Sequence, residues 1–95
     1  MAEIIIKVIG AGSDIWPAPQ YVESVNVQLA GKSDEWLILT YDPVYAKRFK
    51  DMAEAFSLVG EVLESDPIRP WDGKPNRPMS AFWLEFSKAP PRRQP

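Results

Sequence analysis

Asp42-Pro43-Val44-Tyr45-Ala46-Lys47-Arg48-Phe49-Lys50-Asp51-Met52-Ala53-Glu54-Ala55-Phe56-Ser57-Leu58-Val59-Gly60-Glu61-Val62-Leu63-Glu64 is the stretch on which the reading of this chain turns. Tyr45, Phe49, Met52, Phe56, Val59 and Leu63 recur at alternating spacings of four and three, the signature of one apolar stripe on an α-helix. The spacing predicts a helix from Asp42 to Glu64 with Phe56 at the centre of its buried face. Ala46, Ala53 and Gly60 flank the stripe and would let the helix backbone approach a sheet closely. Asp42 followed by Pro43 reads as an N-cap and first helical residue, because the carboxylate accepts from orphan amides and proline has no amide to waste there. The charges run against such a helix. Lys47, Arg48 and Lys50 crowd its start and Glu61, Glu64 and Asp66 its end, the reverse of what the macrodipole favours.

On either side of this stretch the period changes from helical to alternating. Residues 3–9 place Ile4, Ile6 and Val8 on one face and Ile5 and Ile9 on the other, which suits an interior strand. Gly10-Ala11-Gly12-Ser13-Asp14 follows like the start of a dinucleotide-binding turn, but Ile15 replaces the third glycine. Trp16-Pro17-Ala18-Pro19 cannot open a helix, so Gly10-Ala11-Gly12-Ser13-Asp14 is expected to be a flexible turn. Residues 21–30 alternate, with Tyr21, Val25, Val27 and Leu29 on one face. Trp36–Tyr41 is a second β-rich run, and Gly31-Lys32-Ser33-Asp34 supplies the turn of an antiparallel hairpin. Residues 79–88 send Phe82, Leu84 and Phe86 one way and Ala81, Trp83 and Glu85 the other. The expected fold is α+β: a four-stranded, mainly antiparallel sheet with one long helix packed on one face, in the order β-β-β-α-β. It forms one domain over residues 1–88, followed by a flexible Pro/Arg tail at 89–95.

Composition narrows the chemistry. Of 95 residues 45% are apolar, enough for a core, while cysteine and histidine are both absent. Disulfides, thiolate or imidazole metal sites, and cysteine or histidine catalysis are therefore excluded. The carboxylates show no calcium-loop spacing, and Ser13, Ser33 and Ser80 have no recognisable activating base. A protein that is not an enzyme, with no cofactor and no metal, is expected. No apolar run approaches the length of a membrane span, and Ile4-Ile5-Ile6 lacks a basic leader, so a cytoplasmic chain is expected. Net charge is −2; without Arg92 and Arg93 the eleven basic groups fall to nine against thirteen acidic ones, giving −4. Such a body does not suit general phosphate-backbone binding.

The distinctive stretch is Asp66-Pro67-Ile68-Arg69-Pro70-Trp71-Asp72-Gly73-Lys74-Pro75-Asn76-Arg77-Pro78. Its four prolines restrict the unfolded chain as well as the folded one, so the connection is expected to be ordered despite little regular structure. In one arrangement Arg69 and Arg77 pair with the acidic helix end while Trp71 caps the core. In the other, Arg69, Trp71, Asp72, Lys74, Asn76 and Arg77, with Lys47 and Arg48 from the helix start, form a presented contact, since Trp and Arg dominate interface energetics.

Asp72-Gly73-Lys74-Pro75-Asn76-Arg77-Pro78-Met79-Ser80-Ala81, preceded by Pro67-Ile68-Arg69-Pro70, resembles the closing motif of small uncharacterised proteins from proteobacterial genomes and their phages or prophages. Gln20-Tyr21-Val22 and Ala46-Lys47-Arg48-Phe49 resemble the same group. Trp71 and Met79-Ser80 depart from its pattern, which has no large aromatic before Asp-Gly and more commonly Leu-Thr after the last proline. The resemblance covers residues 20–86 and implies mobile-element origin, with no activity attached. It favours a small module that binds a host or phage protein as monomer or homodimer, an anti-CRISPR-like inhibitor of bacterial defence being one instance. The alternative is a nucleic-acid-associated accessory protein using Lys47, Arg48, Lys50, Lys74, Arg77, Arg92 and Arg93 as a basic edge, with Trp71 for stacking.

Overall fold

The structure, a computed structural model, describes residues 3–91. Strand β1 (Ile4–Ala11) lies between β2 (Asp14–Val25) and β4 (Phe82–Lys88), and β3 (Leu37–Thr40) pairs with the far side of β2. The sheet order is β3-β2-β1-β4 and every pairing is antiparallel. One short helix, α1 (Met52–Val59), completes the α+β fold in the expected order. As an interior strand should, β1 buries both faces, with Ile6 and Val8 on the core side and Ile5 on the other.

The β1–β2 connection is tighter than a flexible turn. Gly12 takes a φ of +59°, and β2 already begins at Asp14. Gly10 is bare for a different reason: a side chain there would place Cβ 2.1 Å from the Asp14 carbonyl oxygen. Trp16-Pro17-Ala18-Pro19 is extended within β2, not loose. Val8 pairs with Gln20 and Gly10 with Ile15, so these four residues bulge out of the ladder opposite Ile9. On its other side β2 meets β3 only from Tyr21 to Val25, so both prolines sit where the strand has a free edge and no donor is missed.

The alternation read through residue 30 stops at Val25. The Asn26 side chain accepts from the Gln28 amide at 3.2 Å, and this local bond turns the chain into a 3-10 turn, Val27–Leu29. Val27 is buried while Leu29 is exposed, so the two do not share a face.

The helix is much shorter than Asp42–Glu64. Asp42 caps only a 3-10 turn, Pro43–Tyr45, through a 2.9 Å bond from the Val44 amide, and the chain then becomes extended at Ala46. Ile4 and Phe49 exchange backbone bonds of 2.8 Å in both directions, and the Lys47 amide donates to the Val22 carbonyl at 2.7 Å. Because β2 pairs with β1 only from Lys7 onward, residues 47–49 fill the gap where the two strands separate. The true N-cap is Asp51, whose side chain accepts from the Glu54 amide at 2.9 Å. Ala55, Leu58 and Val59 face the core, whereas Tyr45, Met52 and Phe56 are exposed and the Phe56 ring leans on Phe86 at 4.8 Å. The reversed charges lie outside the short helix, Lys47, Arg48 and Lys50 preceding α1 and Glu61, Glu64 and Asp66 following it, while Glu54 within its first turn suits the macrodipole.

Ile6, Val8, Val22, Val27, Phe49, Ala55 and Met79 form the core cluster. Trp36 and Phe82, from opposite edges of the sheet, meet across its inner face with ring centroids 6.2 Å apart. Beyond β4 the chain stays against the body: the Ala89 amide donates to Glu3, and the Pro90 carbonyl accepts from Arg48. Arg92 and Arg93 lie outside the described residues. Among the described residues no helix is long and apolar enough to cross a membrane.

Candidate functional site

The proline-rich connection is a miniature hairpin. The Arg69 amide donates to the Lys74 carbonyl and the Gly73 amide to the Arg69 carbonyl, both at 2.9 Å, while Ile68 and Pro75 form an isolated antiparallel bridge. Gly73 supplies the positive φ of +70° that reverses the chain. Asn76 fastens the base: its amide donates to Pro67 at 2.8 Å, its side-chain Nδ2 to Asp66 at 2.9 Å, and its carbonyl accepts from Leu63 at 2.9 Å. Four prolines that lower the entropy of the free loop and these local bonds act in the same direction, toward one conformation.

Trp71 stands at the tip with three-quarters of its surface exposed, so it does not cap the core. Arg69 binds Asp72, not the acidic segment after α1, through Nε and Nη2, with Nε at 3.0 Å from Oδ1. The same guanidinium lies 5.5 Å from the Trp71 ring centroid, covering one face of the indole. Asp72 Oδ1 also accepts from the Lys74 amide at 3.0 Å. Partial burial acts to raise the Asp72 carboxyl, but it is outweighed by the Lys74 amide and the Arg69 side chain, which hold it below the ordinary carboxylate value of 3.8.

The other candidate residues divide into a tip and its support. Lys74 is exposed on the hairpin. Arg77 points back, donating from Nε to the Gly60 carbonyl at the end of α1 at 3.0 Å. Lys47 lies over Phe49, 5.5 Å from the ring centroid. Arg48 is tied to the body by Nε to Glu3 at 2.9 Å and Nη2 to the Pro90 carbonyl at 2.6 Å. Arg48 and Arg77 thus sit at opposite ends of β4.

Two contributors escaped the sequence reading. Ile68, just over half exposed, adds an apolar side chain to the hairpin, and its place between two prolines next to an arginine was the available signal. Gln28 anchors the segment that carries the hairpin. Its Nε2 donates to Glu61 at 2.8 Å and to the Val62 carbonyl at 2.9 Å, and its Oε1 accepts from the Glu64 amide at 2.9 Å. No local pattern reveals a partnership across more than thirty residues.

A recess of about 300 Å³ at the β2–β3 connection is lined by Gly31, Lys32, Ser33, Asp34 and Trp36, which include one carboxylate and one lysine. Among the described residues no three acidic side chains cluster in a way that could hold a metal ion. No family model, curated protein or solved structure matches the chain.

Proposed function

We propose that this protein is a small, non-enzymatic binding module of phage or mobile-element origin that engages a host or phage protein through the Trp71 hairpin. The observation that carries the reading is the combination of exposure with order: Trp71 is 75% exposed on a hairpin closed by its own backbone bonds. A large indole held in one place binds without a further ordering cost, which is the economy of a preorganised hot spot. Arg69 and Asp72 neutralise each other beside it, so the tip presents one free indole face, Ile68 and Lys74. Inhibition of a bacterial defence system is one instance, motivated by the mobile-element origin alone.

The test compares wild-type protein with Trp71→Ala as baits in a native bacterial lysate, read by mass spectrometry and by thermal melts of both baits. A host protein retained by wild type and lost with the variant, at melting temperatures within a few degrees, is the expected result. Collapse of the Trp71→Ala melt would make the ring structural and overturn the reading. Binding to single-stranded nucleic acid that weakens steeply with salt would move the contact to the basic residues.

A further inference from the structure

Among the described residues three stretches of strand edge are open, and they are not equally protected. The first half of β2 carries Pro17 and Pro19, and β3 is only four residues long before Asp42-Pro43 ends it. Both devices blunt an edge against pairing. The third, β4, has seven residues and no proline, and where its ladder with β1 slips, between Val8 and Gly10, the extra residue, Ile9, lies on β1.

Its free hydrogen-bonding groups can be assigned. The Ala81 carbonyl accepts from Gly12 and the Ala89 amide donates to Glu3, so the odd-numbered residues of β4 face the β1 side. The alternation of an antiparallel ladder then points the amides and carbonyls of Leu84 and Phe86 outward. The Phe82 carbonyl points outward as well, while its amide is taken by Met79. The side chains above these groups are half-covered: Phe82, Leu84 and Phe86 are intermediate in burial, whereas Ile6 and Val8 on β1 are fully buried. Phe56, stacked on Phe86, is 54% exposed beside them.

The pattern is symmetric about Leu84, aromatic–leucine–aromatic on the inner face. We infer that β4 pairs antiparallel with β4 of a second copy of this chain about a two-fold axis at Leu84, joining the two sheets into one of eight strands. An isologous contact needs a self-complementary patch, and this register supplies it. Leu84 exchanges two bonds with its counterpart, and each Phe86 amide donates to the Phe82 carbonyl of the other copy. Phe82 meets Phe86 of the other copy on the inner face, completing the half-covered row. On the outer face Trp83 lies opposite Glu85 of the other copy, so no like charges meet.

The experiment uses the whole chain. Sedimentation across a concentration series is expected to show a monomer–dimer equilibrium. Because cysteine is absent, Ser87→Cys gives a single nitroxide attachment point on the exposed outer face. In this register the two Ser87 positions are offset by six residues along the strands, about 20 Å, which electron–electron dipolar spectroscopy reads. Trp83→Glu is expected to abolish association by facing Glu85 of the other copy, and adding Glu85→Gln, which removes that repulsion without setting a second lysine against Lys7, to restore it. Monomeric mass throughout, a label separation far from this distance, or a Trp83→Glu variant that still associates would each overturn the pairing. Should Trp83→Glu fail to fold, mass and label distance decide.

Discussion

Phe49 and Ile4 hold each other by two backbone hydrogen bonds of 2.8 Å, one in each direction, across the gap between β1 and β2. This pairing turns an apparent helical residue into part of the sheet and buries its ring to 2% exposure. Phe49→Ala is expected to cost about 3–5 kcal/mol, a large share of the stability of so small a domain. Phe56→Ala, at a site 54% exposed, is expected to cost about 1 kcal/mol or less. Denaturant unfolding of the two variants checks the contrast; equal losses would put Phe56 back in the core.

Gln28 is expected to act as a side-chain brace for residues 61–64. Replacing it by Ala leaves the Glu64 amide and Val62 carbonyl without their partner, at a cost of about 1–2 kcal/mol for groups that stay near water. Amide exchange at Glu64 should accelerate more than exchange within β1. A uniform acceleration would mean that Gln28 supports the whole fold instead of this segment.

Two glycines close together should respond differently to alanine. At Gly10 the added methyl collides with the Asp14 carbonyl at 2.1 Å, so the β1–β2 hairpin must shift to admit it, and a loss of several kcal/mol is expected. At Gly12 nothing lies within 4 Å of the new atom, and only the φ of +59° is strained, for about 1 kcal/mol. Thermal melts of the two variants give the order directly.

Acid should loosen the hairpin. The folded Asp72 carboxyl lies below the unfolded value of 3.8, so its contribution to hairpin order is fully present above that pH and is lost as pH falls through the depressed folded value. The Gly73 and Lys74 amide resonances are expected to change below pH 3.8 and to show no such transition in Asp72→Asn. A transition near neutral pH, or one that survives in Asp72→Asn, would assign the change to another group.

Much of the architecture could be read locally. The interior character of β1, the two faces of β4, the turn after Gly31 and the chain reversal at Asp72-Gly73 each follow from a short pattern whose physical basis lies within the pattern itself. The neighbourhood of Trp71 also showed that the indole had polar company: Asp72, Gly73 and Lys74 could not follow it into a core. Even the true helix start was marked, since Asp51-Met52-Ala53-Glu54 has the spacing of a capping box, although the stripe that ran past it in both directions hid it.

What the residues determined by themselves was four strands and one helix in this order, with a proline-rich connection at 66–78, because alternation, prolines and turn glycines act on neighbours a few residues away. Where each apolar side chain would go was decided only by the tertiary structure. Tyr45, Phe49, Met52 and Phe56 fit one helical stripe equally well, but β1 and β2 separate beyond Lys7 and leave unpaired backbone at Ile4, which only an extended segment can satisfy. The unmet hydrogen bonds at Ile4 outweigh the modest gain of two or three more helical turns, and the helix therefore begins at Met52. The partners of Arg69, Arg77 and Gln28 were likewise matters of three-dimensional proximity, because long polar side chains bind whatever carbonyl or carboxylate the fold brings within reach.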